Sequence, residues 1–113
     1  MSDCIFCRIA SHEIPSKMLY EDDDIMAFYD IKPSASIHVL VLPKKHLVSV
    51  AEASDADQML LGKLILRAKL LAEKLGIGQK GYKIVINTGK DGGQVIPHLH
   101  LHLLGGQLIK KLV

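Results

Sequence analysis

Three of the chain's six histidines fall at alternate positions of one short stretch, PHLHLHLLGG, residues 97–106. His98, His100 and His102 are interleaved with Leu99, Leu101 and Leu103. Successive side chains on a strand point to opposite faces. An extended segment therefore puts the three imidazoles on one face, each about 6.5–7 Å from the next, and turns the leucines towards a core. The alternation fits a half-buried strand and fits a helix badly. Three readings of the row stand open. It is a solvated, tag-like run; it is a metal site, because imidazole is a common zinc ligand; or it is a nucleophilic centre, in which one imidazole attacks while its neighbours position and polarise.

The loop before it bears on that choice. In NTGKDGGQ, residues 87–94, Gly89, Gly92 and Gly93 open backbone conformations closed to other residues. Successive N–H groups there can form a nest for an anion. A phosphate so held lies near the imidazoles, which points to chemistry on phosphorus. A second chemical element is CIFC, which contains both cysteines, Cys4 and Cys7. In a reducing compartment that spacing reads as metal binding or redox chemistry rather than a structural disulfide.

The elements that must carry these groups follow from periodicity and punctuation. Residues 4–11 form a short helix with Ile5, Phe6 and Ile9 on its apolar side, broken at Pro15. Residues 18–20 and 25–29 form a hairpin across the acidic run Glu21, Asp22, Asp23, Asp24, which reads as a solvated turn. Residues 38–42 form a strand stopped by Pro43. Ser54 caps the clearest helix, with Asp57 as the capping-box acid. Leu61, Leu64, Ala68, Leu71 and Leu75 make its apolar stripe, and Gly76 ends it. Residues 82–87 and 97–104 supply two more strands, the last ended by Gly105 and Gly106. The connections are too short for parallel crossovers. The expected fold is therefore α+β, a largely antiparallel five-stranded sheet with one long and one short helix. Leu60, Ile65 and Leu70 widen the helix's apolar face beyond one stripe, which suits burial against the sheet or a subunit interface.

The 113 residues predict one domain, 1–113. A net charge of +2 is too weak to argue for nucleic acid or a membrane surface as partner. No apolar run spans a bilayer, and the N-terminus lacks the pattern of a signal peptide, so a cytoplasmic location is expected. Lys44, Lys45, Lys110, Lys111 and His12 read as solvated surface.

With these residues in view, the chain resembles the histidine-triad (HIT) family. HLHLHLL at 98–104 matches that family's pattern of three histidines alternating with apolar residues. The loop from Asn87 through Gly92, Gly93 and Gln94 resembles that of the Hint branch, the small purine nucleoside phosphoramidate hydrolases. The likeness extends to Cys4–Cys7, Glu13–Pro15, Tyr20–Asp23, Ala27, Phe28, Asp30, Ile31, His38, Pro43–His46, Gly105 and Gly106. It implies a HIT-like homodimer, with the long helix and one strand at the interface. It also implies hydrolysis at the α-phosphorus of purine nucleotide conjugates of AMP or GMP type. His100 matches the nucleophile, which forms a nucleotidyl-histidine that water resolves to a nucleoside monophosphate. His102 and His38 match phosphate-binding and charge-stabilising positions, and His98 completes the catalytic set. The implied nucleotide-binding residues are Ile14, Phe28 and Ile31 around the base, Asp30 at the ribose, and Asn87, Gly92, Gly93, Gln94, Val95, His100 and His102 around the phosphate. Relatives often have Ser, Thr or Glu where Val95 stands, so its contribution is expected from the backbone. The tail from Gln107 lacks the tryptophan that some relatives send towards the partner's site. Cys4, Cys7, His46 and His98 match a structural zinc set, while catalysis needs no cofactor. Two other readings are kept: a nucleotide-binding interaction module with incidental hydrolysis, and a hydrolase using the triad as metal ligands.

Overall fold

The computed structural model describes residues 3–110; the expectations for Lys111 and the last two residues of the tail lie outside it. In chain order the elements are α1 (Ile5–Ala10), β1 (Met18–Glu21), β2 (Ile25–Tyr29), β3 (Ile37–Pro43), α2 (Gln58–Lys74), β4 (Lys83–Ile86) and β5 (Leu101–Gly105). The five strands form one antiparallel sheet in the order β1-β2-β3-β5-β4. The α+β expectation therefore holds.

Period two sorts the side chains of the central strands to the two faces. Ile25 and Ala27 of β2, Val39 and Val41 of β3, and Leu101 and Leu103 of β5 are buried in a core with Leu64, Ala68, Leu71 and Ala72 of α2. Met26, Phe28, Leu40 and Leu42 pack on the other face with Phe6 and Ile9 of α1. Both helices thus cover the sheet, one on each side, and the central strands read as continuous apolar runs. Emptying either core is costly: Leu103→Ala removes a fully buried side chain, a change of about 2–5 kcal/mol.

The capping box at Ser54 and Asp57 is present, but it closes a 3₁₀ turn, Asp55–Asp57, and α2 begins one residue later. Strand β4 is shorter than the expected 82–87. The larger difference lies in the histidine segment. Strand β5 starts at Leu101, not at residue 97. Its ladder with β3 ends at Val41↔Leu101 and its ladder with β4 at Ile86↔Leu101, after which β4 gives way to the glycine loop. Pro97 also lacks an N–H for a ladder. Residues 98–100 therefore run on without a paired strand, yet Leu99 stays on the α2 side and its N–H reaches the Leu47 carbonyl at 2.7 Å.

The acidic turn is more than solvated charge. The Asp22 carboxylate accepts from Tyr20 Oη at 2.6 Å and from the amides of Asp24 and Ile25 at 2.8 Å, and pairs with Lys63 Nζ of α2 at 3.1 Å. Burial raises this carboxyl's pKa, but those hydrogen bonds outweigh it and hold the group well below the usual carboxylate range. Three residues expected to be merely solvated are also engaged: Lys44 with Glu21, Lys45 with Asp57, and His12 with Glu21. Their partners lie on other elements, which local sequence does not reveal.

Candidate functional site: two histidine clusters on one segment

The β3–β5 register positions the first cluster. His38 lies opposite Leu104, and Leu40 opposite His102. His38 and His102 are thus diagonal neighbours on the α1 face, within reach of each other. His38 Nε2 stands 2.9 Å from His102 Nδ1 and 3.4 Å from Asp30 Oδ2. The backbone fixes the protons. The Ser34 amide can only donate, and it donates to His38 Nδ1 at 2.9 Å. A neutral His38 therefore carries its proton on Nε2 and gives it to His102 Nδ1, which leaves His102 with its own proton on Nε2. Burial pushes the His102 imidazole down to about 4, helped by repulsion from His100 and His38. Burial also lowers His38, against the pull of Asp30. Both rings are neutral at pH 7 and act as oriented hydrogen-bond donors.

His100 is buried between this cluster and α1. Its ring centroid lies 5.0 Å from that of His102 and 5.2 Å from that of Phe6, both edge-to-face. Its Nδ1 lies 2.7 Å from the His98 carbonyl, which can only accept. Nδ1 therefore carries the proton and Nε2 the lone pair.

The second cluster sits at the other end of the same segment. His98 is fully buried, and its Nε2 donates to the Pro43 carbonyl at 2.8 Å. Its Nδ1 is therefore unprotonated. That atom stands 3.2 Å from Cys4 Sγ, 3.5 Å from Cys7 Sγ and 3.1 Å from His46 Nδ1, and Cys7 Sγ is 3.2 Å from His46 Nδ1. All four donor atoms lie within 4.8 Å of one another, and the cysteines form no disulfide. Zinc bonds of about 2.0–2.3 Å in a tetrahedron separate ligand atoms by about 3.3–3.8 Å. Two thiols and two imidazoles at these spacings fit such an ion, with Pro43 as the outer partner that orients a ligating histidine.

Asp30, His38 and His102 also bring three donor atoms within 4.8 Å. They do not make a comparable set, because the Ser34 amide keeps the proton on the inward nitrogen of His38.

The remaining expected residues divide. The Asp30 carboxylate, half-buried, also accepts from the Lys32 amide at 2.8 Å. Ile14 is half-buried beside the second core, Phe28 is core, and Ile31 is 92% exposed. In the glycine loop a Cβ at Gly92 would collide with the Thr88 carbonyl, and Gly93 has φ +79°. The loop is closed on itself. The Gly93 and Gln94 amides donate to Lys90 and Gly89, Asn87 Nδ2 donates to the Gly92 carbonyl, and Gln94 Nε2 donates to Val48 and Ile96. Of the amides expected to form a nest in residues 87–94, those of Gly89, Gly93 and Gln94 are thus taken up within the loop. Val95 is 89% exposed, beside a cleft of about 440 Å³ lined by Val48, Lys90, Gln94 and Pro97. Sequence reading missed Phe6, Ser34 and Pro43 as partners of the site. Only Phe6 carried a signal, lying between two cysteines on the apolar side of α1.

Comparison with known proteins agrees with this architecture. The HIT domain family model matches residues 11–108. Protein HitA of Neisseria gonorrhoeae is 47% identical over 105 residues, 93% of this chain and 97% of its own. A histidine triad protein from Clostridium difficile superposes with a TM-score of 0.96 at 40% identity, covering 100% of this chain and 98% of its own. A HIT family hydrolase from Legionella pneumophila gives 0.92 at 45% identity, over 94% and 95%. Two more distant structures are a zinc-bound histidine triad family protein from Mycobacterium smegmatis (TM-score 0.81, 31% identity, 98% and 80% covered) and a hypothetical histidine triad nucleotide-binding protein from Sulfolobus tokodaii (0.77, 34%, 90% and 68%).

Proposed function

The chain belongs to the HIT domain family, and from that premise we propose that it is a nucleotide-binding hydrolase cleaving purine nucleoside 5′-phosphoramidates or related nucleotidyl conjugates. The carrying observation is the hydrogen bond from His100 Nδ1 to the His98 carbonyl, which leaves the lone pair on Nε2 of a ring packed edge-to-face with His102. That lone pair attacks the α-phosphorus, the bond to the leaving amine breaks, and the amine departs with a proton drawn from solvent, which the attacking water of the second step returns. Water then displaces the imidazole from phosphorus and releases the nucleoside monophosphate. His102 offers its Nε2–H to the phosphate oxygens, and His38 holds His102 in that tautomer. Asp30 takes the ribose hydroxyls, while Ile14, Phe28 and Ile31 surround the base. Gly92 and the backbone of Val95 face the phosphate, Asn87, Gly93 and Gln94 close the loop that presents them, and the cleft beside Val95 receives the leaving group.

Cys4, Cys7, His46 and His98 would hold a structural zinc, which would tie α1 to the segments carrying His46 and His98; no step of hydrolysis uses it. The chain is read as one domain, 1–113, acting as a homodimer through α2 and one edge strand, β4. Exposed Met59, Ile65 and Leu66 on α2 support that interface. No helix among the described residues is long and apolar enough to cross a membrane, and unbridged cysteines suit a reducing cytosol.

The test is turnover of adenosine 5′-phosphoramidate and trapping of the adduct. Labelled nucleotide on His100, lost in His100→Ala, is the expected result; unchanged turnover in that variant rejects it. The exposed Val95, which offers no side-chain hydroxyl, favours a second reading as a nucleotide-binding interaction module. Partner capture that survives His100→Ala supports that one.

A further inference from the structure

We propose that the Cys4–Cys7–His46–His98 cluster positions the nucleophile, by fixing the backbone carbonyl that sets the His100 tautomer. This rests on the reading of His100 as nucleophile and of the cluster as a zinc site.

Residues 98–100 lack the support of the sheet. They lie beyond the last paired positions of β5, so neither β3 nor β4 fixes them by ladder hydrogen bonds. Apart from a local bond from the His98 amide to the Ile96 carbonyl at 2.8 Å, the bonds that fix them converge on one neighbouring stretch, residues 43–47. The Leu99 amide reaches Leu47 O at 2.7 Å, His98 Nε2 reaches Pro43 O at 2.8 Å, and His98 Nδ1 faces His46 Nδ1 at 3.1 Å. Helix α1 is drawn to the same place through Cys4 and Cys7, the first of them its N-cap. That helix carries Phe6, whose ring meets His98 at 5.8 Å and His100 at 5.2 Å between centroids.

The geometry makes His98 a lever with two ends. Its side chain is one of the four cluster donors, and its carbonyl accepts from His100 Nδ1 at 2.7 Å. A four-donor set pins the imidazole, the planar peptide transmits its orientation, and the carbonyl points at one nitrogen of the next histidine. Loosening the cluster leaves His98 held only through Pro43 and its backbone neighbours, so that its carbonyl can shift off His100 Nδ1. His100 is then released to place its proton on either nitrogen, and Nε2-protonated His100 cannot attack. The four cluster residues are positioning residues: none needs to touch substrate.

The experiment uses full-length protein carrying zinc, before and after stripping with a chelator, together with His46→Ala. His46 is the exposed donor of the set, so its loss leaves both cores intact. His46→Cys, which rebuilds a sound Cys₃His set, is the conservative rescue. Two kinds of measurement are made: the kinetics, as kcat and KM for adenosine 5′-phosphoramidate, and the tautomer of His100 from the nitrogen chemical shifts of its imidazole. Amide signals of β2 and β3 confirm the fold.

Zinc loss is expected to lower kcat at least tenfold with KM within twofold, and to turn a single Nδ1–H tautomer into a mixture. Zinc return, and His46→Cys, restore both. A folded, zinc-free protein that keeps wild-type kcat and the single tautomer overturns the inference. Should His46→Ala not fold, the stripped wild-type protein gives the same two readings. Isolated protein that contains no zinc rejects the metal reading and this inference with it. Zinc-loaded protein that shows the single tautomer but no turnover rejects only the hydrolase reading.

Discussion

Two clusters grow from one short run of chain, and they differ in where their protons lie. At Cys4, Cys7, His46 and His98 the outward bond of His98 goes to a carbonyl. That bond takes the proton, so a lone pair faces inward. At Asp30, His38 and His102 the outward bond of His38 comes from an amide. That bond takes the lone pair, so a proton faces inward and passes along a line of donor and acceptor. Both use imidazoles, and at both the donor atoms lie within 4.8 Å of one another. The first end has donor atoms whose lone pairs could converge on a cation, and the second lines up an oriented hydrogen bond. Proximity of ligand atoms therefore does not identify a metal site; the main-chain partner behind each ring does.

The sharpest break of this partition comes from His100→Ala. It is expected to cut turnover of adenosine 5′-phosphoramidate by at least about 10³-fold, as removal of a nucleophile does. Zinc content, measured by atomic spectroscopy, stays stoichiometric. Loss of zinc in that variant would merge the two clusters into one. The converse comes next. Cys4→Ala, or chelation, removes the cation from one end and lowers Tm by about 10 °C, roughly 2 kcal/mol at this size. A thermal melt with and without zinc checks it, and an unchanged Tm leaves the thiol end without a structural role.

Much of this arrangement was legible in the sequence. Alternation of His and Leu over residues 98–103 placed the imidazoles on one face and the leucines under α2, and both placements hold. The extent of pairing was not legible. That β5 begins at Leu101 depends on where β3 and β4 stop, and no local signal at His98 or Leu99 reports it. Which nitrogen carries each proton was hidden for the same reason, since the deciding groups are backbone atoms at Ser34 and Pro43, far along the chain. The Asp22 hub escaped because Lys63 sits about 40 residues away on α2, where its charge reads as ordinary helix surface. Ile31 shows a limit of another kind. An apolar residue reads as core by default, and only the structure shows it in solvent, where a base or a partner would cover it.

A smaller effect sharpens the catalytic end. His38→Ala removes the donor that fixes His102, so His102 is free to put its proton on Nδ1. The expected loss is about 10–100-fold in kcat, the usual cost of a lost orienting partner, with zinc retained and KM little changed. A drop confined to KM would make His38 a binding residue rather than an orienting one.

The smallest effect tests the buried protons themselves. An unfolded histidine titrates near 6.5, whereas burial holds folded His102 down to about 4 and lowers His38 as well. Between those values the unfolded chain binds protons that the folded chain refuses. Stability is therefore full above about pH 6.5 and is lost as pH falls towards about 4. The thiol end gives a loss of the same sign, because protons compete with zinc for its ligands, so wild-type melts alone do not separate the two. His102→Asn does: it leaves the zinc ligands untouched and deletes one titrating ring. Its Tm should fall less than the wild type's between about pH 7.5 and pH 5, by about 3–5 °C for a difference near 1 kcal/mol. Equal falls in the two proteins would show that the buried His102 ring carries no weight in the acid sensitivity of the fold.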